Sequence, residues 1–107
     1  MITIAIVIPV FNRKNITIQG INNLNEAIDF YNQKSKNSFN FKIIIVDDGS
    51  TDGTGEWIES NRPEVYYLRG DGELWWSGAI NLGARYAIDK LHASHVLFWN
   101  DDTLCVK

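Results

Sequence analysis

The sequence has few of the residue types that mark specialised protein classes. Its 107 residues include one cysteine, Cys105, so neither a disulfide framework nor a thiolate metal cluster is available. There are 10 basic and 13 acidic side chains, and no basic stripe that would neutralise a nucleic-acid backbone. No apolar run approaches the roughly 20 residues of a membrane-spanning helix. We therefore expect no nucleic-acid partner and no membrane span.

Several targeting and catalytic signatures are absent as well. The first residues enter an apolar segment without a basic leader or a cleavage site, so we expect no signal peptide and a cytoplasmic location. The turn after the first apolar run contains no glycine, which rules out the dinucleotide-binding fingerprint. The sequence also carries no Walker loop and no serine nucleophile elbow.

The pattern that is present alternates apolar runs with amphipathic segments. Hydrophobic residues make up 45% of the chain and charged residues 21%, which is typical of one globular domain. The predicted strands are Ile2–Val10, Phe41–Val46, Val65–Leu68 and Val96–Trp99, and the predicted helices cover about residues 16–36, 54–60 and 77–91. This alternation predicts an α/β protein with a Rossmann-like, mostly parallel sheet of about four strands and helices on both faces.

The spacing of apolar residues also predicts which helix faces are buried. The expected stripes are Ile21, Leu24, Ile28 and Tyr31 in the first helix and Ile80, Ala84, Ala87, Ile88 and Leu91 in the last. Asp52 is the predicted N-cap of the middle helix, because its carboxylate can accept free backbone amides. Pro63 is expected to stop that helix.

Polar residues follow three of the four predicted strands. They are Phe11–Arg13, Asp47–Ser50 and Asn100–Asp102. Ligands of an open parallel sheet bind outside the carboxyl ends of its strands, so we expect these segments to meet at one edge. Clustered carboxylates repel one another, which favours a bound cation or a hydrogen-bonding ligand there.

Two acidic segments suggest specific chemistry. Side chains alternate along a strand, so Asn100 and Asp102 share a face and offer hard oxygen ligands for Mg²⁺ or Mn²⁺. The alternative is a solvated acidic turn. An ionised aspartate in Asp47–Ser50 can accept the imide N–H of uracil or thymine, which cytosine lacks. The alternative is that both aspartates of this segment cap the following turn.

A pair of adjacent tryptophans lies in the predicted loop before the last helix. Trp75 and Trp76 are expected either to stack on a base or sugar, or to close the core beneath the loop. The sequence leaves both interpretations open.

Three segments in this order and spacing resemble the family 2 glycosyltransferases of the GT-A fold. They are Ile6–Asn12, Ile45–Thr54 and Phe98–Asp102. The segment Gly72–Gly83, GELWWSGAINLG, is similar to bacterial members that build surface polysaccharides, including rhamnosyltransferase-like ones. The resemblance implies that residues 1–107 form the donor-binding portion of a GT-A domain. It also implies sugar transfer from a nucleotide-sugar of the UDP or dTDP type to a glycan or lipid-linked acceptor.

The resemblance assigns roles to individual residues. The residues expected to bind the nucleotide-sugar are Pro9, Val10, Phe11, Asp48, Asn81 and Asp101. Asp48 would hold the base, Asp101 would lie near the ribose or diphosphate, and Asp102 would be the ligand of Mg²⁺ or Mn²⁺. Asn81 matches an Arg-Asn-x-Gly pattern of many relatives, although Ile80 stands in place of its arginine.

The implied reaction releases a nucleoside diphosphate, whose developing charge a divalent cation stabilises. A base must activate the acceptor hydroxyl. The resemblance places that base beyond Lys107, with the acceptor-binding part, and permits a peripheral location at the inner membrane face. Three alternatives are a non-catalytic nucleotide-sugar-binding module, a receiver-type signalling domain and a nucleotidyltransferase.

Overall fold

The computed structural model describes residues 2–34 and 39–103. Strands and helices alternate through these residues in the predicted order. The elements are β1 (Ile2–Val10), α1 (Lys14–Lys34), β2 (Phe39–Asp47), α2 (Thr54–Asn61), β3 (Tyr66–Arg69), α3 (Trp75–Asp89) and β4 (His95–Phe98). The predicted end of the first helix, near residue 36, lies outside the described residues.

The four strands of the described chain form one parallel sheet in the order β3-β2-β1-β4. The central strands β1 and β2 pair from Ile2 with Phe39 to Val10 with Asp47. Both have helices on either side, which explains why their sequences are almost continuously apolar. The chain moves outward from β1 to β3 and then returns to the other side of β1 with β4. This change of direction is the switch point at which such sheets open a crevice.

Pro9 marks where the sheet separates between β1 and β4. The Trp99 N–H donates to the Val7 carbonyl at 2.9 Å, so alternate residues of β1 hydrogen-bond toward β4. Pro9 is the next residue on that side and has no N–H to offer. The chain after β4 therefore turns away from β1, and a cleft opens beside Pro9.

Helices cover both faces of the sheet, as predicted. Under α1 and α2 lies a core of Ile6, Ile8, Val10, Ile21, Leu24, Ile43, Ile45, Ile58 and Val65. Under α3 lies a smaller core of Ala5, Val7, Ile44, Val46, Ala79 and Ala87. The α/β class with a four-stranded sheet is confirmed, and no described helix is long and apolar enough to cross a membrane.

The buried stripe of α1 agrees with its prediction. Ile21 and Leu24 are buried, and Ile28 packs against the same core. Tyr31 contacts Phe41 edge-on, with ring centroids 5.6 Å apart. The stripe continues toward the helix start through Thr17, which is also buried.

The buried stripe of α3 differs from its prediction. Ala79, Gly83 and Ala87 face the sheet, whereas Ile88 is 56% exposed. The reason is a close approach of helix and sheet, because a Cβ on Gly83 would overlap Val7. Small residues therefore occupy the contact, and the larger apolar residues of the predicted stripe lie beside it or away from it.

Asp52 is not the N-cap of α2, although it does bind a helix start. Gly53 occupies the cap position, with φ of 90°. The Asp52 carboxylate accepts the Thr54 N–H at 3.2 Å and the Lys14 N–H at 3.0 Å. One side chain thus binds the first residues of both α1 and α2, and α1 begins two residues earlier than predicted.

Candidate active site

The turns that follow β1 and β2 are bound directly to each other. The Asn12 N–H donates to Ser50 Oγ at 2.8 Å, and the Thr51 N–H donates to Asn12 Oδ1 at 2.8 Å. Asn12 has φ of 50°, a left-handed conformation that asparagine tolerates better than most residues. The two turns form one wall of the cleft.

Asp47 binds groups inside the fold and does not face the cleft. Its carboxylate is fully buried and accepts the Ser50 N–H at 2.8 Å and the Tyr67 hydroxyl at 2.6 Å. Arg69 lies 3.4 Å from the same carboxylate. Burial and the bond to Asp47 raise the pKa of Tyr67 to about 12, so its hydroxyl stays protonated. The alternative that both aspartates cap this turn therefore holds for Asp47 alone, because Asp48 binds the segment before α3.

Asp48 lines the cleft and anchors the segment before α3. Its Oδ1 accepts the backbone N–H groups of Gly72 at 2.9 Å and Leu74 at 3.1 Å, and its Oδ2 accepts that of Trp75 at 3.0 Å. Burial acts to raise the pKa of this carboxyl, but the three amides outweigh it and lower the pKa. An ionised carboxylate has about four acceptor sites, so roughly one remains for a ligand.

The tryptophan pair is exposed, and the expectation that it closes the core is wrong. Trp75 is 75% exposed and Trp76 is 58% exposed. The reason is that α3 begins at Trp75, two residues earlier than predicted, and Asp48 holds the Trp75 backbone at the cleft. Both tryptophans line the cleft, which leaves stacking on a base or sugar as the remaining interpretation.

The turn after β4 brings two aspartates to the opposite wall. Asp101 is 7% exposed, and its Oδ1 lies 3.2 Å from Arg13 Nη1. Asp102 is 57% exposed, and its Oδ2 lies 3.6 Å from Arg13 Nη2. Burial raises the pKa of Asp101, and the positive charge of Arg13 opposes that shift. A Cβ on Gly20 would overlap the Asp101 carbonyl, so the glycine lets α1 approach this turn closely.

Arg13 was not among the predicted site residues. Its ion pairs cross 88 and 89 positions of sequence, and no local pattern reports contacts of that range. The available signal was its position in the polar turn after β1, together with its charge, which is opposite to that of the aspartates after β2 and β4.

These residues line a single open cavity of about 560 Å³. Its lining consists of Pro9, Phe11, Arg13, Asp48, Gly72, Trp75, Trp76, Ala79, Asn100, Asp101 and Asp102. Five of the seven predicted site residues are brought together here. Val10 is buried in the core under α1, and Asn81 is exposed on α3 and does not line the cavity.

The residues present fit a divalent cation that arrives with an anionic ligand. Among the described residues, no group of three or more acidic, histidine or cysteine side chains is arranged to hold a metal alone. Asp102 offers an exposed carboxylate at the cleft, and Asn100 also lines it. Because β4 ends at Phe98, both residues lie beyond the strand, and the predicted strand alternation does not place them on one face. Mg²⁺ usually takes one or two protein carboxylates and completes its shell with phosphate oxygens and water.

Comparison with solved structures supports the fold. The crystal structure of Staphylococcus aureus TarS residues 1–349 matches 94% of this chain and 28% of that chain, with a TM-score of 0.63 and 21% identity. A longer TarS structure matches equally well over 17% of its length. At this identity the likeness concerns the fold alone.

Curated relatives extend the comparison to sequence. An uncharacterized glycosyltransferase of Rickettsia felis is 32% identical over 108 residues, covering 97% of this chain and 15% of the relative. A low-salt glycan biosynthesis hexosyltransferase of Haloferax volcanii is 30% identical over 74 residues, covering 69% of this chain and 24% of the relative. A dolichyl-phosphate beta-glucosyltransferase of Dictyostelium discoideum is 38% identical over 61 residues, covering 55% of this chain and 18% of the relative.

The chain thus spans between about one seventh and one quarter of these relatives. The family model described as Glycosyl transferase family 2 matches residues 5–107, nearly the whole chain. With the parallel sheet and the cleft at its switch point, this match shows that the chain belongs to glycosyl transferase family 2.

Proposed function

We propose that this chain binds the donor of a glycosyltransferase that moves a sugar from a UDP- or dTDP-type nucleotide-sugar to an acceptor hydroxyl. The observation that carries the proposal is the shared cleft of Pro9, Phe11, Asp48, Asp101 and Asp102. Residues from the ends of β1, β2 and β4 meet there, at the crevice where α/β sheets bind ligands.

The preference for uracil or thymine rests on Asp48. Its carboxylate is ionised at neutral pH and keeps about one acceptor site after binding three backbone amides. An imide N–H can fill that site, whereas the corresponding cytosine nitrogen is itself an acceptor. The half-exposed Phe11 ring supplies an apolar surface for the base.

The diphosphate would lie toward the wall formed by the turn after β4. Asp102, with Asn100 nearby, would hold Mg²⁺ or Mn²⁺, which supplies Lewis-acid stabilisation of the departing diphosphate when bound. Asp101 lies 3.2 Å from Arg13, and this pair would keep the turn after β4 in place. Pro9 would border the nucleoside, since the sheet opens at that residue.

We propose a glycan or a lipid-linked molecule as the acceptor. The names of the relatives from Haloferax volcanii and Dictyostelium discoideum support this choice, since they refer to glycan biosynthesis and to dolichyl-phosphate. A lipid-linked acceptor would bring the enzyme to the inner face of a membrane. We place the base that activates the acceptor hydroxyl, and the rest of the acceptor site, outside these 107 residues.

One observation favours a second candidate, a non-catalytic nucleotide-sugar-binding module. Each described carboxylate that lines the cleft already has a binding role in this proposal, Asp48 toward the base, Asp101 toward Arg13 and Asp102 toward the metal. None is left over to act as a general base. Sugar transfer by a longer polypeptide that contains this chain would exclude the module.

The donor is tested by calorimetry with UDP, dTDP, GDP and CDP, each with and without Mn²⁺. We expect UDP and dTDP to bind best and Mn²⁺ to strengthen their binding. Asp102→Asn should remove most of that Mn²⁺ effect, a loss of about tenfold in affinity or ~1.4 kcal/mol. The matched control is Asp89→Asn, an exposed change of the same charge on α3. Equal binding of all four nucleotides, or an unchanged Mn²⁺ effect in Asp102→Asn, would contradict the proposal.

A further inference from the structure

Arg13 is the one basic residue among the described residues that line the cleft. Its side chain is 44% exposed, and its guanidinium contacts both aspartates of the turn after β4. The positive end of the side chain therefore lies at the place where a cation bound to Asp102 would also lie.

The two ion pairs of Arg13 differ in strength. Asp101 is buried, and an unpaired charge there would be costly, so this pair at 3.2 Å keeps the guanidinium in position. Asp102 is exposed and its oxygen is 3.6 Å away, a geometry typical of a weak surface pair. The contact with Asp102 can be exchanged for another ligand while the contact with Asp101 stays.

The exchange has a physical consequence for metal binding. A divalent cation on Asp102 would lie close to the guanidinium, and two positive charges in that position repel each other. A diphosphate removes the repulsion, because its oxygens can bind the metal and the guanidinium together. Arginine suits this task, since its planar fork matches phosphate oxygens in a bidentate arrangement.

We propose that Arg13 is a positioning residue that couples divalent-metal binding to diphosphate binding. In the free protein it pairs with Asp102 and weakens the binding of a metal alone. In the complex it releases Asp102 to the metal and donates to the diphosphate. Each ligand then strengthens the binding of the other by the same factor. This coupling rests on the proposed function.

The test measures each ligand alone and together. Binding of Mn²⁺ alone is followed by electron paramagnetic resonance, and binding of UDP and uridine by calorimetry, in the wild type and in Arg13→Gln. We expect Arg13→Gln to bind Mn²⁺ alone about fivefold more tightly and UDP with Mn²⁺ about tenfold more weakly, within the usual range of coupling between sites. Uridine, which has no phosphate, should bind both proteins equally.

Two further variants separate charge from geometry. Arg13→Lys keeps a positive charge beside Asp101 but lacks the fork, so we expect it to fold normally and to bind UDP with Mn²⁺ more weakly than the wild type. Arg85→Gln makes the same charge change as Arg13→Gln at an exposed position of α3 outside the cleft, and should match the wild type in every measurement. Thermal unfolding of each variant reports its folding.

The outcomes distinguish this inference from the proposed function. A wild type that binds none of the nucleotides overturns the proposed function and the coupling together. A wild type that binds UDP, with Mn²⁺ affinity unchanged in Arg13→Gln, overturns the coupling alone. Tighter binding of both Mn²⁺ and UDP by Arg13→Gln also overturns it, because Arg13 would then only repel the metal.

Discussion

Trp75 adopts a backbone conformation that residues other than glycine rarely adopt. Its φ is 58°, in the left-handed region, where a side chain costs roughly 1–2 kcal/mol. The conformation persists because Asp48 binds the Trp75 N–H at 3.0 Å, and the large side chain remains 75% exposed in the cleft. Strain of this kind is concentrated at ligand sites, and Trp75 lines the cleft.

We predict that the usual order of alanine and glycine is reversed at this residue. Trp75→Gly should be more stable than Trp75→Ala by about 1 kcal/mol, because glycine adopts a positive φ without a steric penalty. At Trp76, the next residue of α3, the alanine variant should be more stable than the glycine variant by about 0.5–1 kcal/mol. Urea unfolding of the four variants measures both differences. The same order at both positions would contradict the strain at Trp75.

The strand pattern predicted the polar segments that hold the site residues, and the family resemblance singled out individual residues within them. Asp48 and Asp102 lie in the polar segments that follow predicted strands, and both line the cleft. Val10 was expected to line it together with its two neighbours. Side chains alternate along a strand, so Pro9 and Phe11 reach the cleft while Val10 points into the core. Arg13 depends on contacts distant in sequence, which no local pattern contains.

At the scale of elements, the contact between α1 and the turn after β4 controls the position of two cleft residues. Gly20 lies in the buried face of α1, and the Asp101 carbonyl occupies the space where a side chain would begin. Asp101 and Asp102 are thus located by a helix that does not itself line the cleft.

We predict that Gly20→Ala displaces this turn. Alanine favours a helix by about 1 kcal/mol over glycine, but its Cβ would overlap the Asp101 backbone, which can move only with the turn. Binding of UDP with Mn²⁺ should weaken by about tenfold, or ~1.4 kcal/mol. The control is Gln19→Ala, which favours the helix at an exposed position of the same turn of α1. Equal affinity of both variants would show that the contact does not position the site.

The bounds and buried faces of the elements were predicted well where burial determines the sequence. They were predicted less well where contacts with distant residues set the helix start or the buried face. Strands buried on both faces require continuous apolar runs, so β1 was predicted with its observed bounds. The starts of α1 and α3 were missed by two residues each, because Asp52 and Asp48 bind their first amides from a different turn. The buried stripe of α3 was misplaced in the prediction. The prediction relied mainly on large apolar residues, whereas the close contact with the sheet at Gly83 requires small ones.

At the scale of the whole molecule, the cleft exists because the strand order changes direction at β1. The order β3-β2-β1-β4 brings residues from the turns after β1, β2 and β4 and from residues 72–79 to one cavity. Alternation of strands and helices predicted the parallel sheet, and its polar strand ends predicted the edge at which the site lies. The segment that precedes α3 was not predicted to close the cleft, because its position depends on the hydrogen bonds of Asp48.

We predict that the purified 107-residue chain binds the donor but does not transfer its sugar efficiently. The reason is that the proposed function gives each described carboxylate lining the cleft a binding role, so none is left to activate an acceptor hydroxyl. The measurement combines calorimetry with UDP and Mn²⁺ with an assay of radiolabelled sugar transfer from UDP- and dTDP-sugars. The positive control is a longer polypeptide that contains this chain. Robust transfer by the 107-residue chain would contradict the prediction.

The bonds between the first two turns have a consequence for how the molecule responds to a ligand. Asn12, Ser50 and Thr51 bind one another across 38 and 39 positions of sequence, and Asp52 adds the start of α1. That side of the cleft is rigid, because widening it would break several hydrogen bonds at once. Any adjustment of the cleft to a ligand is therefore expected in the turn after β4, whose aspartates are joined to this side by the two ion pairs of Arg13.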